Sequence, residues 1–212
     1  MNKKMKILLI IGASLGIIFI VGQFIFMKTI SDIEMYSYKV LKKYDQFEIR
    51  KYAAANFSYV TMKTGSYQES SGNGFKSLAG YIFGGNDKKE SIAMTSPVVM
   101  DLDETVTMQF MLPAKYKLDD LPTPNNPDVH FKTEKEKFLA TIAFGGWSSD
   151  KKIAEYTEKL KALLKENGIT HFNNFSYFGY NPPFQLINRR NEIAVEIDIK
   201  SVSGLNIEVK ND

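Results

Sequence analysis

Residues 193–199 read IAVEIDI, and this stretch decides the fold class. Apolar side chains occupy every second position and alternate with smaller or charged ones. That period of two is typical of a β-strand with one face in a core. Working outward, the aromatic-rich segment 172–178 also has strand character, and only 14 residues separate the two segments. The pattern predicts two neighbouring strands near the end of the chain.

A helix is predicted immediately before these strands. Apolar residues recur there at helical spacing, at Ile153, Tyr156, Leu160, Leu163 and Leu164. Ser148 or Ser149 can cap the start of this helix, and Gly168 suits the position after its end. Two strand-like segments, 129–132 and 138–144, precede it. The second half of the chain is therefore predicted to be ββαββ.

The first half repeats this order. Strand-like segments at 47–51 and 56–62 come before a stretch in which Phe75, Leu78, Ala79 and Ile82 have helical spacing. Strands are then predicted at 92–100 and 106–112, with a further tail strand at 205–209. A proline-rich segment, 119–127, joins the halves. We expect an α+β fold in which the tandem repeat curls into a distorted antiparallel β-barrel with two flanking helices, leaving a ligand cleft between the halves.

The N-terminus carries a different signal. Residues 7–27, ILLIIGASLGIIFIVGQFIFM, contain no charge and would span about 30 Å as a helix. The segment is longer than the apolar core of a signal peptide and lacks a convincing cleavage site. We predict an uncleaved, single-pass transmembrane signal anchor. Lys3, Lys4 and Lys6 precede it, so the N-terminus is expected in the cytoplasm and the domain on the extracytoplasmic side.

Composition and charge exclude several classes of function. The 212 residues include no cysteine, which removes disulfides, thiolate metal sites and cysteine nucleophiles. Residues 1–30 carry four lysines and no acid, so the remaining 23 basic and 24 acidic side chains give a net charge of −1. A near-neutral domain lacks the basic surface that nucleic-acid binding requires. No glycine-rich phosphate-binding motif occurs either.

Seven short blocks resemble those of the SOUL heme-binding family and follow one another in the same order. They are FEIRKY at 47–52, LAGYIFGGN at 78–86, IAMTSPV at 92–98, FMLP at 110–113, FGGW at 144–147, YNPP at 180–183 and RRNE at 189–192. Together they extend over nearly all of the chain beyond the anchor. The chain also resembles the related gyrase-inhibitor-like ligand-binding domains. We therefore predict an anchor at 1–30, a tether at 31–43 and a SOUL-like domain at 44–212.

The resemblance implies that the domain binds heme, or another flat tetrapyrrole, in an apolar groove beside the first helix. In that arrangement basic side chains meet the propionates and no strong axial ligand is needed. The residues expected at the ligand are Phe75, Lys76, Leu78, Ala79, Phe83, Met94, Met108, Tyr180, Arg189 and Arg190. The expected role is membrane-tethered carriage or buffering of the ligand rather than turnover.

Two other functions are considered beside ligand binding. The first is a small-molecule hydrolase that uses a cleft carboxylate, for which Glu192 is the candidate. The second is an interaction domain with an empty groove. His130 and His171 are weak candidates for iron ligation because they lie far apart in the sequence and have no carboxylate at metal-ligand spacing.

Overall fold

In the computed structural model, residues 5, 10–12, 14, 33–62, 66–102, 105–182 and 185–205 are described. Their strands are β1 Tyr38–Lys43, β2 Glu48–Tyr52, β3 Ala55–Met62, β4 Val98–Leu102, β5 Val106–Met111, β6 His130–Glu134, β7 Lys137–Gly145, β8 His171–Gly179 and β9 Arg190–Ile197. The α-helices are α1 Tyr67–Ile82 and α2 Asp150–Glu166, and short 3-10 helices lie at Leu118–Asp120 and Ile199–Ser201. The α+β class is confirmed.

The strands form one antiparallel sheet in the order β1-β2-β7-β9-β8-β4-β5-β3-β6. The ββαββ halves are β2-β3-α1-β4-β5 and β6-β7-α2-β8-β9, and they meet where β4 pairs with β8. The first strand of each half pairs with a strand of the other half: β2 pairs with β7, and β6 pairs with β3. The tandem repeat predicted from the sequence is therefore present, but the halves are interlocked rather than side by side.

The predicted barrel is confirmed in part. The nine strands make a curled half-barrel, in which β1 and β6 are the edge strands of the described sheet. Lysines at positions 39, 42 and 43 of β1 explain why this edge ends the sheet, because charged edge strands resist further pairing.

Residues 38–43 form a strand rather than the expected tether. Tyr36, just before them, is buried and packs its ring against Tyr52 and Phe57 at centroid distances of 4.7 and 5.3 Å. Met35 forms a β-bridge with Ser96. The domain begins earlier than predicted because these side chains complete the core on one face of the sheet.

The N-terminal anchor can be assessed only in part. The chain divides into a unit Met1–Ile33 and a unit Glu34–Asp212. Among the described residues, no helix is long and apolar enough to cross a membrane. Of the predicted anchor at 7–27, only residues 10–12 and 14 are described, and they are helical. The rest of that prediction lies outside the described residues, as does most of the tail strand predicted at 205–209.

Two apolar clusters occupy the two faces of the sheet. Both helices pack on one face, where Leu78, Leu160 and Ile142 belong to the larger cluster. No described helix packs on the other face, which we call the helix-free face. It carries the smaller, aromatic cluster: Tyr36, Tyr52, Phe57, Val99, Met111, Leu139, Phe178, Tyr180 and Ala194. Strand β9 illustrates the split, since Ile193 and Val195 point to the helix side and Ala194 to the helix-free side.

Candidate functional site

A groove of about 520 Å³ runs along the solvent side of α1. We call it the α1 groove; it is lined by Asn73, Lys76, Ser77, Gly80, Tyr81, Gly85, Asn125 and Asn126. Four of these lie at i, i+3, i+4 and i+7 of the helix and therefore share one face. They are small or polar, while the apolar residues of α1 turn toward the sheet. The helix thus leaves a shallow, accessible surface on its outer side.

Two glycines shape the α1 groove. At Gly80 a Cβ atom would meet nothing within 4 Å, so the groove is open beside the helix backbone. At Gly85 a Cβ atom would lie 2.5 Å from the carbonyl oxygen of Gly80, which no larger residue tolerates. The backbone N–H of Gly85 donates to that same oxygen at 2.8 Å, and Asn125 donates to the Gly85 carbonyl at 3.0 Å. These bonds fix the far wall of the groove against the end of α1.

Tyr81 is the one aromatic side chain lining the α1 groove. Its hydroxyl donates to the carbonyl oxygen of Pro122 at 3.1 Å, and its ring packs against Phe131. Burial raises the pKa of Tyr81 to about 12, so the phenol keeps its proton at neutral pH. The lining residues include no histidine, cysteine or methionine. Tyrosine can ligate heme iron, but the Tyr81 hydroxyl keeps its proton and donates it to Pro122. The groove therefore offers space and polar contacts rather than a ready iron ligand.

The residues predicted at the ligand do not come together. Of those near α1, Lys76 lines the groove, and Phe83 is exposed just beyond the helix. Phe75 is partly exposed and packs edge-on against Phe110 at 5.3 Å. Leu78, Ala79 and Met108 are buried in the larger core cluster, and Met94 packs against it. Leu78 and Ala79 face the sheet because apolar side chains at helical spacing mark the core side of α1, and Met108 belongs to the sheet itself.

Tyr180, Arg190 and Glu192, also singled out in the sequence, lie on the helix-free side. The Glu192 carboxylate is fully buried and accepts from Arg50 Nη1 at 2.8 Å and Tyr180 Oη at 2.7 Å through Oε2. Its Oε1 accepts from Arg190 Nη2 at 2.7 Å. Arg50 is also held by Glu48 Oε2 at 2.8 Å. Arg50 was not among the predicted site residues, although a charged residue inside the strand-like block 47–52 is a signal that could identify it.

Glu192 is ionised in this network. Burial raises the pKa of its carboxyl, but the hydrogen bond and charge of Arg50, the charge of Arg190 and the Tyr180 hydroxyl outweigh burial, and the pKa falls below its ordinary value. Both oxygens are engaged and no solvent reaches them. The carboxylate stabilises two guanidinium groups and is poorly placed to act as the general base of a hydrolase.

Arg189 has a role in local structure. Its Nη1 donates to the carbonyl oxygens of Pro182 and Gln185 at 2.8 and 2.7 Å, and Nη2 donates to Asn181. Its guanidinium also stacks on the ring of Trp147, 4.2 Å from the centroid. The side chain therefore holds the loop that follows Tyr180.

The expected cleft between the halves is largely filled. On the helix-free face, the aromatic cluster leaves a cavity of about 130 Å³, enough for about four water molecules. Asp101 lies on its lining and is held by Gln109 and by the Ser176 hydroxyl at 2.7 Å. The buried Tyr36 hydroxyl has no hydrogen-bond partner among the described groups. The cavity suits ordered water and is too small for a porphyrin.

The histidines do not form a metal site. His130 is on edge strand β6 and contacts the ring of Tyr59, while His171 begins β8 and its Nδ1 accepts from the backbone of Asn173. In the part of the chain that the structure describes, no cluster of three or more His, Cys, Asp or Glu side chains is suited to a metal ion.

Comparison with known proteins places this fold in a family. A family model described as "SOUL heme-binding protein" matches residues 33–196. The chain belongs to the SOUL heme-binding protein family. This SOUL protein is 30% identical to heme-binding protein 2 of Mus musculus over 175 residues, covering 76% of this chain and 84% of the relative. It is 31% identical to heme-binding protein 2 of Homo sapiens over 157 residues, covering 69% and 76%.

Solved structures share the fold of this SOUL protein at low identity. The C-terminal domain of EcmrR superposes with a TM-score of 0.58 at 10% identity, covering 72% of this chain and 97% of that domain. A hydrolase from Listeria innocua gives 0.53 at 10% identity, covering 74% and 94%. At such identities the likeness concerns architecture alone.

Proposed function

We propose that this SOUL domain binds heme, or a similar flat tetrapyrrole, in the α1 groove, for carriage or buffering rather than turnover. The observation that carries the proposal is the open groove of about 520 Å³ beside α1 in a chain of this family. The cavity on the helix-free face holds about 130 Å³, which is too small for a macrocycle. The relatives' names support the ligand class, and the size of the groove supports its location.

The groove residues suggest how a macrocycle would be held. Gly80 lets the flat ring approach the helix backbone without meeting a side chain. Lys76 would meet a propionate, and the amides of Asn73 and Asn125 offer further donors. Heme would bring its redox-active iron, but this lining provides no histidine, cysteine or methionine, so we expect the macrocycle and its propionates rather than the metal to dominate affinity.

Titration of the purified 212-residue chain with hemin and with iron-free protoporphyrin IX tests this proposal. We expect saturable changes in the Soret band and in porphyrin fluorescence, with closely similar affinities for the two ligands. Absence of binding at micromolar ligand would reject the function and favour an interaction domain with an empty groove. A strong preference for hemin would instead show that a side chain outside the groove ligates iron.

Two glycine variants test the place of binding. Gly80→Leu puts a side chain into the α1 groove at a position with open space around it, so the fold should be kept. We expect affinity for protoporphyrin to fall about tenfold or more, which corresponds to about 1.4 kcal/mol. Gly72→Leu is the matched control, since Gly72 is on the same helix with equal space but does not line the groove. Equal effects of the two changes would contradict the α1 site.

Lys76→Gln tests the propionate contact. The variant should bind protoporphyrin IX several-fold more weakly, whereas binding of its dimethyl ester, which has no carboxylate, should not change. Equal losses for both ligands would mean that Lys76 acts through packing and not through its charge.

Membrane tethering is a second part of the proposal. The uncharged segment 7–27 supports an anchor that leaves the domain on the extracytoplasmic side. Membranes from expressing cells, washed with alkaline carbonate, should retain the chain with its residues 1–27. Release of a product beginning near residue 30 would indicate a cleaved signal peptide instead.

A further inference from the structure

Four large apolar side chains are exposed at one end of the domain. Met35, Trp147, Leu186 and Ile187 are 43%, 55%, 51% and 54% exposed. Trp147 follows the end of β7, and Leu186 and Ile187 precede the start of β9, where Gly145 pairs with Arg190. We call this group the apolar end. Side chains of this size cluster on a protein surface mainly where the surface meets a partner or a membrane.

The loop that presents Leu186 and Ile187 is held from inside by polar groups. Gln185 is 7% exposed, and its Nε2 donates to the Ile187 carbonyl at 3.0 Å while its Oε1 accepts from Asn181 at 2.9 Å. Arg189 donates to the Gln185 carbonyl from the other side. The polar side chains thus turn inward and the two aliphatic side chains outward, which reverses the usual arrangement of a surface loop.

The apolar end also carries positive charge. Arg189 stacks on Trp147, and Lys152 Nζ donates to the Gly145 carbonyl at 2.6 Å. Arg190 is partly exposed as well, but its charge is paired with Glu192. The carboxylates of Glu34 and Asp150, at the same end, each accept a backbone N–H, from Ala114 at 2.9 Å and Tyr67 at 2.6 Å. An indole and aliphatic groups beside the Arg189 guanidinium and the Lys152 ammonium match the interface of an anionic bilayer.

The chain enters the domain at this same end. Ser96 donates its N–H to the Glu34 carbonyl at 3.0 Å and accepts from the Tyr36 N–H at 2.8 Å. The Ser96 hydroxyl donates to the carbonyl of Tyr180, the residue just before the loop that presents Leu186 and Ile187. The uncharged segment 7–27 precedes this entry point by only six residues, 28–33.

We propose that the apolar end docks onto the surface of a lipid bilayer, with Trp147, Leu186 and Ile187 in the interfacial region and the nearby cations facing anionic headgroups. This rests on the membrane part of the proposed function, because a short connection keeps the domain close to the bilayer. Docking would fix the orientation of the domain, and with it that of the α1 groove, relative to the bilayer.

Trp147 is the single tryptophan of the chain and serves as the probe. The 212-residue chain, free of porphyrin, is reconstituted into phosphatidylcholine vesicles with and without phosphatidylserine. We expect the Trp147 emission to be quenched when the phosphatidylcholine carries brominated acyl chains, and more strongly when phosphatidylserine is present. Emission typical of a solvent-exposed indole, unaffected by brominated lipid, would overturn the proposal.

Variants separate docking from other causes. Leu186→Asp with Ile187→Asp should lose most of the quenching, whereas Phe172→Asp should keep it, because Phe172 is equally exposed (61%) at the start of β8, the opposite end of that strand. Circular dichroism checks that the aspartate variant is folded. If it is not, the uncharged variant Leu186→Ser with Ile187→Ser takes its place in the same measurement. A Trp147 signal that depends on protein concentration but not on brominated lipid would show a second copy at this surface and reject the bilayer.

Retention after a carbonate wash reports on residues 7–27 separately, so failure of the anchor and failure of docking are distinguishable.

Discussion

At the scale of single residues, Glu192 shows why an acidic residue in a family motif need not be catalytic. The carboxylate is fully buried and bonded to Arg50, Arg190 and Tyr180. Removing one member of a buried ion pair leaves an uncompensated charge in the interior. We expect Glu192→Gln to lower the free energy of unfolding by about 3–5 kcal/mol in urea denaturation at neutral pH.

The pH dependence of this effect follows from the lowered pKa of Glu192. A carboxyl whose folded-state pKa lies below its ordinary value of 4.5 contributes stability above that pH and loses it as the pH falls through the folded-state pKa. The stability difference between parent and Glu192→Gln should therefore narrow as the pH is taken below about 4.5. Glu136→Gln, which removes an exposed partner of Lys51, is the control and should change stability by less than about 1 kcal/mol. A constant difference at all pH values would mean that packing, and not charge, explains the loss.

At the scale of elements, the end of α1 depends on two glycines with opposite requirements. Gly85→Ala would press a methyl group against the Gly80 carbonyl, so we expect a loss of more than about 1 kcal/mol. Gly80→Ala replaces glycine inside an exposed helix with space around it and should stabilise the domain by about 0.5–1 kcal/mol. Urea denaturation followed by far-UV circular dichroism measures both. Equal effects of the two changes would contradict the close contact at Gly85.

The elements also show what the sequence could predict. The apolar stripe of α2 and the serine before it predicted that helix almost to the residue, and the structure assigns the cap to Ser149 and leaves Ser148 bonded to Tyr177. Strand β4 was predicted to begin six residues too early, because residues 92–97 resemble a strand but bond elsewhere. Ile92 donates its N–H to Ile82 at the end of α1, and Ser96 bonds to the entering chain. Local periodicity identifies elements well and says little about partners that are distant in sequence.

The candidate site was less predictable for the same reason. Apolar residues such as Leu78 and Met108 were expected at the ligand, and they are in the core. The groove is instead lined by small and polar residues, including Gly80 and Asn125, which carry no periodic signal. Which face of α1 meets the sheet follows from the pattern, but the loop that forms the opposite wall is set by long-range contacts.

At the scale of the whole molecule, the exchange of opening strands makes the halves interdependent. Residues 34–120 alone would leave β2 without β7 and β3 without β6. We expect this fragment and residues 121–212 each to remain unfolded when produced separately, and to recover sheet structure when mixed. Circular dichroism and thermal melting measure this. A fragment that folds alone with a cooperative melting transition would contradict the interdependence.

The same exchange predicts a single unfolding transition for the intact domain. Trp147 emission and far-UV circular dichroism should give coincident urea curves, although Trp147 reports only on the second half. Separate transitions would mean that the halves unfold independently despite the shared strands.

The crossed pairing of β2 and β6 has a consequence for assembly. Two copies of a protein with one ββαββ unit could build the same sheet as a domain-swapped dimer, and dilution would dissociate it. In this chain the segment 119–127 joins the two units covalently. The swap becomes intramolecular, so the architecture persists at any protein concentration.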